Sequence, residues 1–152
     1  MLIDTLRQLF ARDLNRLILE LEAYRDEKRL WHVERGITNS AGNLSLHLIG
    51  NLTTYISATL GGVAYKRDRD REFSLKSMPR AELIRQIETT RDEVEQALRG
   101  ISESALQAEY PLLVFDAPTS TEYFLMHLAT HLAYHLGQVN YHRRLLDAPA
   151  ES

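Results

Sequence analysis

Two histidines four residues apart, in the stretch THLAYHLGQVNYH near the end of the chain, are the residues best suited to chemistry. His131 and His135 fall on the stripe that a helix over this segment would turn inward. Residues four apart on a helix share one face, so two imidazoles there can bind one ion at metal–nitrogen distances of about 2.0 to 2.1 Å. Leaving buried imidazoles unsatisfied costs roughly 1 to 3 kcal/mol per polar group, so a partner is expected. A divalent metal would satisfy both rings, and so would carboxylates or water.

A third nitrogen ligand is available in a distant part of the chain. His47 stands in the otherwise apolar stretch SAGNLSLHLIGN, and Asn51 follows it by one helical turn. In a helix bundle, a histidine from one helix and a pair from another can converge on an ion in the core. Spacing alone leaves two alternatives, a metal site and a set of hydrogen-bonded core histidines.

Four long helices are predicted to position these histidines, because apolar residues recur at three-and-four spacing and glycines interrupt the pattern. The predicted limits are Leu2 to about Lys28, Asn39 or Ser40 to Gly61–Gly62, Ser77–Pro79 to Gly100, and Thr119 to about Leu146.

Capping residues support these limits. Ser77 can cap the third helix, with Pro79 in its first turn, and Thr119 has capping-box spacing to Glu122 at the start of the fourth. The stretch ISESALQ adds a short turn of helix, and PLLVF at 111–115 is the one segment with strand character.

The predicted fold is all-α, an antiparallel four-helix bundle with long ordered connections. Residues 1–147 form a single domain and 148–152 a C-terminal tail. The connections at 29–39, 62–78 and 101–118 are longer than a bare up-and-down bundle requires. Long ordered connections often build sites, so we expect them to roof one end of the bundle.

Composition narrows the class of protein. A chain of 152 residues with 44% hydrophobic and 26% charged residues is typical of one soluble domain. The absence of cysteine excludes a disulfide framework, a thiolate metal site and a cysteine nucleophile. A net charge of −3 predicts no nucleic-acid partner, and no apolar run approaches the roughly 18 residues of a membrane span. A cytoplasmic location is the expectation.

Three motifs in order, GNLSLHLIGN, RDRDREF and HLATHLAYHLGQ, resemble those of the DinB/YfiT-like superfamily of four-helix metalloproteins over nearly the whole chain. The resemblance implies that His47 is the lone metal ligand and that His131 and His135 are the pair, with Gly137–Gln138 completing the HLGQ ending. It also implies a divalent metal, with nickel, zinc, iron and manganese all open, because three imidazoles suit several of them.

Three protein ligands leave coordination positions for water or substrate, as in catalytic sites. The ion can then activate water or polarise a substrate oxygen, and the resemblance adds S-transfer or isomerisation with a low-molecular-weight thiol. No Glu lies between His131 and His135, which argues against a zincin protease, and no nucleophile elbow or phosphate loop is present. We expect a metal-dependent enzyme that acts on a small molecule by hydrolysis or S-transfer. The alternative is a non-catalytic, stress-associated module that binds a metal or a small ligand.

Residues around the three ligands are predicted from their position in the pattern, and none is assigned a catalytic role. Asp13 or Glu20 is a candidate to accept a ligand N–H, whereas His127 and His142 rank below the pair as ligands. The charge run YKRDRDREF is either a solvated, self-paired loop or a source of one arginine that faces the site. A homodimer is expected by analogy with the fold class. The remaining candidates for the outer shell or pocket are Asn51, Tyr55, Gln138, Trp31 and Arg69.

Overall fold

The computed structural model describes residues 1–149, and this part of the chain is all-helical, without strands. A 3-10 helix at Glu27–Trp31 follows the first α-helix, and the second continues directly into a π-helix at Thr53–Ala58. Within residues 1–149, no helix combines the length and the apolar character that a membrane span requires. The six α-helices are α1 (Leu2–Ala23), α2 (Ala41–Leu52), α3 (Arg69–Ser74), α4 (Arg80–Arg99), α5 (Glu103–Gln107) and α6 (Thr121–Leu146).

The four long helices enclose one apolar core. α1 packs against α4 and α6, and α2 packs against the same two helices. Each fully buried leucine or phenylalanine contributes about 1.5 to 3 kcal/mol relative to an exposed one, so burial in this core strongly favours the packing of the helices. Its most buried members include Leu6, Leu17, Leu48, Leu52, Ile56, Leu83, Ile87, Leu125 and Leu128.

The first helix is shorter than the sequence predicts, because it ends at Ala23 instead of about Lys28. Tyr24 adopts an extended conformation (φ −61°, ψ 128°), and its side chain is buried. A guanidinium nitrogen of Arg80 donates to the carbonyls of Leu21 and Tyr24, at 3.2 and 2.7 Å. These tertiary contacts satisfy the end of the helix and terminate it where the local sequence would allow it to continue.

The starts of α2 and α6 depend on serine caps. Ser40 Oγ accepts a hydrogen bond from the Asn43 amide (3.1 Å), as predicted. At α6 the cap is Ser120, which accepts from the Tyr123 amide (3.1 Å), so the prediction of Thr119 was wrong by one residue. The predicted capping box is absent, because Glu122 instead accepts a hydrogen bond from Gln107 (2.8 Å).

Ser77 does not cap α4. The residue before this helix is Pro79, which offers no side-chain acceptor, and the carboxylate of Glu27 accepts from the Arg80 amide instead. A partner distant in sequence therefore replaces the local cap.

Two further segments differ from expectation. The charged run forms α3, whose first turn is capped by Asp68 accepting from the Arg71 amide (3.1 Å). The segment 111–115 is not a strand, and Leu113 within it is 69% exposed. Of the predicted tail 148–152, residues 150–152 lie outside the described part of the chain.

Candidate metal centre

Three histidine nitrogens meet at the boundary between α2 and α6. Nε2 of His131 lies 3.2 Å from Nε2 of His47 and 3.1 Å from Nε2 of His135. The three residues each offer a ligand atom, and these atoms all lie within 4.8 Å of one another. The structure therefore brings together the three histidines that the sequence singled out.

The spacing of these nitrogens fits a single ion. Two nitrogens at about 2.0 to 2.1 Å from one metal lie about 2.9 Å apart at a right angle and about 3.3 Å apart at the tetrahedral angle. The separations of 3.1 and 3.2 Å fall between these limits. Without an ion, a proton on His131 Nε2 can bridge only one of the two contacts, and the other brings two lone pairs together. A metal satisfies all three nitrogens at once.

The opposite ring nitrogens decide which tautomer two of the histidines adopt. His47 Nδ1 lies 3.1 Å from Oε1 of Glu72, and His135 Nδ1 lies 2.7 Å from Oε1 of Gln138. Both oxygens are acceptors, so Nδ1 carries the proton in each ring and Nε2 keeps its lone pair. Hydrogen bonds of this kind orient metal-binding histidines and increase their basicity.

His131 lacks such support, because its buried Nδ1 has no hydrogen-bond partner in residues 1–149. The Oδ1 atom of Asn51, one helical turn after His47, is likewise buried and without a partner in that part of the chain. A donor and an acceptor near the same histidines are thus left for water or for a ligand.

The acidic partner of His47 is fixed by an arginine. Nε and Nη2 of Arg67 donate to the two carboxylate oxygens of Glu72, at 2.8 and 2.9 Å, in a bidentate pair. Glu72 is only 6% exposed, so this pairing compensates the desolvation of its charge. Burial raises the pKa of Glu72, but the hydrogen bonds from His47 and Arg67 lower it more, and the carboxyl is held below its ordinary pKa.

A glycine on α2 makes room for that carboxylate. A Cβ built on Gly50 would lie 2.0 Å from Oε2 of Glu72 and 3.2 Å from Nε of Arg67. Any side chain at position 50 would therefore displace the ion pair. The same face of α2 thus supplies His47 and the space for its acceptor.

The electrostatics of the site favour neutral, metal-ready imidazoles. Burial lowers the pKa of His131 to about 4, with further lowering from His135 and His47. Burial also lowers the pKa of His135, although its hydrogen bond to Gln138 acts in the opposite direction. Both rings are therefore uncharged at neutral pH, which leaves their lone pairs free for an ion.

Aromatic rings surround the three histidines. Phe73 of α3 packs on His47 at 5.1 Å between ring centroids, and His127 stacks at 6.2 Å from His131. Phe115 covers His127 edge-on at 4.9 Å. The segment 111–115, which forms no strand, therefore packs on the histidine that neighbours His131.

Of the other residues predicted to surround the ligands, some lie at the site and others pack elsewhere. Gln138 contacts His135, as described above, whereas the ring of Tyr55 packs edge-on against Phe124 at 5.3 Å. Trp31 lies over Gly42, where a Cβ would come within 2.7 Å of its ring. It therefore packs as a cap on α2.

The arginine at the site is not the predicted one. Arg69 is exposed, and the guanidinium that reaches Glu72 belongs to Arg67, which also lies 5.9 Å from the centre of the Tyr55 ring. Neither predicted carboxylate serves the histidines. Asp13 accepts from Arg12 and Arg16, and Glu20 accepts from Asn140 and Arg143.

Comparison with known proteins gives a family for this chain. A comparison with curated proteins found no match. Residues 2–150 match the family described as "Protein of unknown function (DUF1572)". Because this match covers nearly the whole chain, the protein belongs to the DUF1572 family.

Proposed function

We propose that this protein is a divalent-metal protein of the DinB/YfiT-like superfamily and that its four long helices form an antiparallel bundle around the site. The packing supports the bundle, because α1 and α2 each contact both α4 and α6. Metal ligands on two facing helices are the usual construction of a metal site in such bundles.

The observation that carries the proposal is that Nε2 of His131 lies 3.2 Å from Nε2 of His47 and 3.1 Å from Nε2 of His135. His47, His131 and His135 hold the ion, and three protein ligands leave coordination positions for water or substrate. When bound, a divalent ion supplies a Lewis acid that activates water or stabilises a thiolate.

The chain's own residues orient and enclose this centre. Glu72 and Gln138 fix the tautomers of His47 and His135, and Phe73 shields one side. The Oδ1 atom of Asn51, which has no hydrogen-bond partner within residues 1–149, is an acceptor for a polar group of a small-molecule substrate. Hydrolysis and S-transfer with a low-molecular-weight thiol are the reactions that such a site and the superfamily resemblance support.

A metal-dependent binding module without turnover is the second candidate. Both oxygens of Glu72 already accept hydrogen bonds from Arg67 and His47. This carboxylate is therefore not free to act as a general base, and a base for catalysis has to come from another group or from the substrate.

Elemental analysis of untagged protein tests the metal site. We expect about one divalent ion per chain in the wild type and a loss of that ion in H131A/H135A and in H47A. H127A is the matched control, because it removes an imidazole from the same helix without removing a ligand. Equal metal content in the wild type and in H131A/H135A would overturn the proposal.

A second experiment separates enzyme from module. Protein reconstituted with Zn²⁺, Ni²⁺, Fe²⁺ or Mn²⁺ is assayed for hydrolysis of activated esters and for conjugation of small thiols to electrophiles. Turnover that disappears in H131A/H135A supports an enzyme. Binding of a thiol to Co²⁺-substituted protein, seen as a sulfur-to-metal absorption band without turnover in any of these assays, supports the module.

A further inference from the structure

We propose that Glu72 is a positioning residue for metal binding, which makes His47 the anchoring ligand, and that Arg67 and Gly50 hold Glu72 in place. This inference rests on the proposed metal site and deepens it. It assigns roles in ligand support to three residues that touch no ion themselves.

The three proposed ligands differ in the hydrogen-bond partner of Nδ1. His47 donates from Nδ1 to a buried carboxylate, His135 donates to the neutral amide of an exposed glutamine, and His131 has no partner for Nδ1 among residues 1–149. An anionic acceptor increases the basicity of the opposite ring nitrogen more than a neutral one does. Nε2 of His47 is therefore the strongest electron-pair donor to a metal among the three ligand nitrogens.

The carboxylate of Glu72 is buried and is paired with an arginine. A carboxylate that is 6% exposed would be costly unless it is paired, and Arg67 pairs with both of its oxygens. The fork of Arg67 holds both oxygens of Glu72 and so prevents the carboxylate from rotating. Oε1 therefore remains directed at Nδ1 of His47.

The backbone that carries Glu72 is also attached to α2. Nδ2 of Asn43 donates to the carbonyl oxygens of Glu72 and Leu75, at 2.9 and 2.8 Å. Asn43 precedes His47 by one turn of α2, so both the backbone and the side chain of Glu72 are attached to the helix that carries His47. These contacts hold α3 in a fixed position relative to His47.

The position of Glu72 also depends on the space left by Gly50. The carboxylate of Glu72 fits only because position 50 has no side chain, since a Cβ there would lie 2.0 Å from Oε2. A methyl group at position 50 would displace the acceptor without removing any charge or hydrogen-bonding group. This makes Gly50 a way to test the position of Glu72 separately from its presence.

The affinity for Zn²⁺ tests the proposal directly, measured by competition with a chromophoric chelator. We expect the dissociation constant of E72A to increase about 10- to 100-fold and that of E72Q to increase less, because glutamine still offers an oxygen to His47. E20Q is the matched control, since Glu20 is also bound by an arginine but contacts none of the three histidines. Affinities of E72A and E72Q within about twofold of the wild type would overturn the proposal, as would an equal loss in E20Q.

The glycine variants form a double-mutant cycle. We expect G50A to weaken Zn²⁺ binding about as much as E72A does, and G50A/E72A to bind no more weakly than E72A alone. G137A is the control, because a Cβ at this helical glycine of α6 would meet no atom within 4 Å. Additive losses in G50A and E72A would show that Gly50 acts independently of Glu72 and would contradict the inference.

Metal-free protein supplies a readout that does not depend on loading. Nitrogen NMR of the wild type should show His47 with its proton on Nδ1, and E72A should shift this ring toward the Nε2–H tautomer. The same tautomer in both proteins would overturn the role of Glu72. Failure of the metal site itself is a different outcome, in which the wild type and H131A/H135A bind Zn²⁺ equally weakly.

Discussion

The hydroxyl of Tyr24 lies 2.5 Å from Nδ1 of His142, and this buried contact joins the residue that ends α1 to the last turns of α6. Nε2 of His142 lies 2.8 Å from the carbonyl oxygen of His32 and donates to it. Nδ1 therefore accepts a hydrogen bond from the tyrosine hydroxyl. Both nitrogens of a buried, neutral imidazole are satisfied in this way.

Removing the hydroxyl should destabilise the fold. Tyr24→Phe leaves Nδ1 of His142 buried without a donor, which costs about 1 to 3 kcal/mol. Urea unfolding should show this loss of free energy with an unchanged slope. Tyr141→Phe is the control, since Tyr141 is 63% exposed, and a loss as large in that variant would contradict the explanation.

Acid should weaken the same contact. Burial lowers the pKa of His142 below the ordinary value of 6.5, so the unfolded chain takes up the proton first and stability falls as pH falls below that value. His142→Gln removes this contribution. We therefore expect the difference in unfolding free energy between wild type and His142→Gln to narrow when pH is lowered from one unit above this value to one unit below it. A difference that stays constant would sink the assignment.

Metal should stabilise the protein only when the three histidines are intact. Zn²⁺ at about 100 times its dissociation constant adds about 2.7 kcal/mol to the folded state. A thermal melt should therefore shift upward for the wild type and for His127→Ala and remain unchanged for His131→Ala/His135→Ala. An equal shift in the double variant would indicate binding elsewhere on the chain.

Asn43 should control the order of α3. In Asn43→Ala the carbonyls of Glu72 and Leu75 lose their hydrogen-bond donor, so residues 69–75 should exchange amide hydrogens faster. The free energy of local opening of this segment should fall by about 1 to 3 kcal/mol. Hydrogen-exchange mass spectrometry measures this directly. Asn15→Ala changes an exposed side chain on α1 and should leave α3 unaffected.

Much of the helical framework is readable from sequence, because its signals are local. Ser40 and Gly100 lie at helix ends as predicted, and the apolar stripes identify buried residues such as Leu83 and Leu128. The end of α1 is not readable, because Arg80 caps it from 59 residues away in sequence. The short helix α3 was missed for the same reason, since Asn43 holds it from 29 residues away.

The candidate site also has a part that local sequence signals predict and a part that depends on distant contacts. The helical spacing of His131 and His135 predicts that they share one face. His47 stands out as a histidine in an apolar stretch, and the superfamily resemblance assigns it as the third ligand. A carboxylate partner for a ligand histidine is predicted on α1, at Asp13 or Glu20. The partner of His47 is instead Glu72, which is 25 residues away within a run of alternating charges. One local signal was available, because Gly50 interrupts an apolar helix at a cost of about 1 kcal/mol relative to alanine, which indicates a close approach by another group.

The shared volume at Gly50 and Glu72 gives a simple criterion for comparing members of the DUF1572 family. A relative that carries alanine or a larger residue at the position of Gly50 has no room for a glutamate placed as Glu72 is here. Such a relative should carry a shorter residue there and support its first histidine in another way. Two columns of an alignment would thus separate relatives with a charged support for that ligand from those without one.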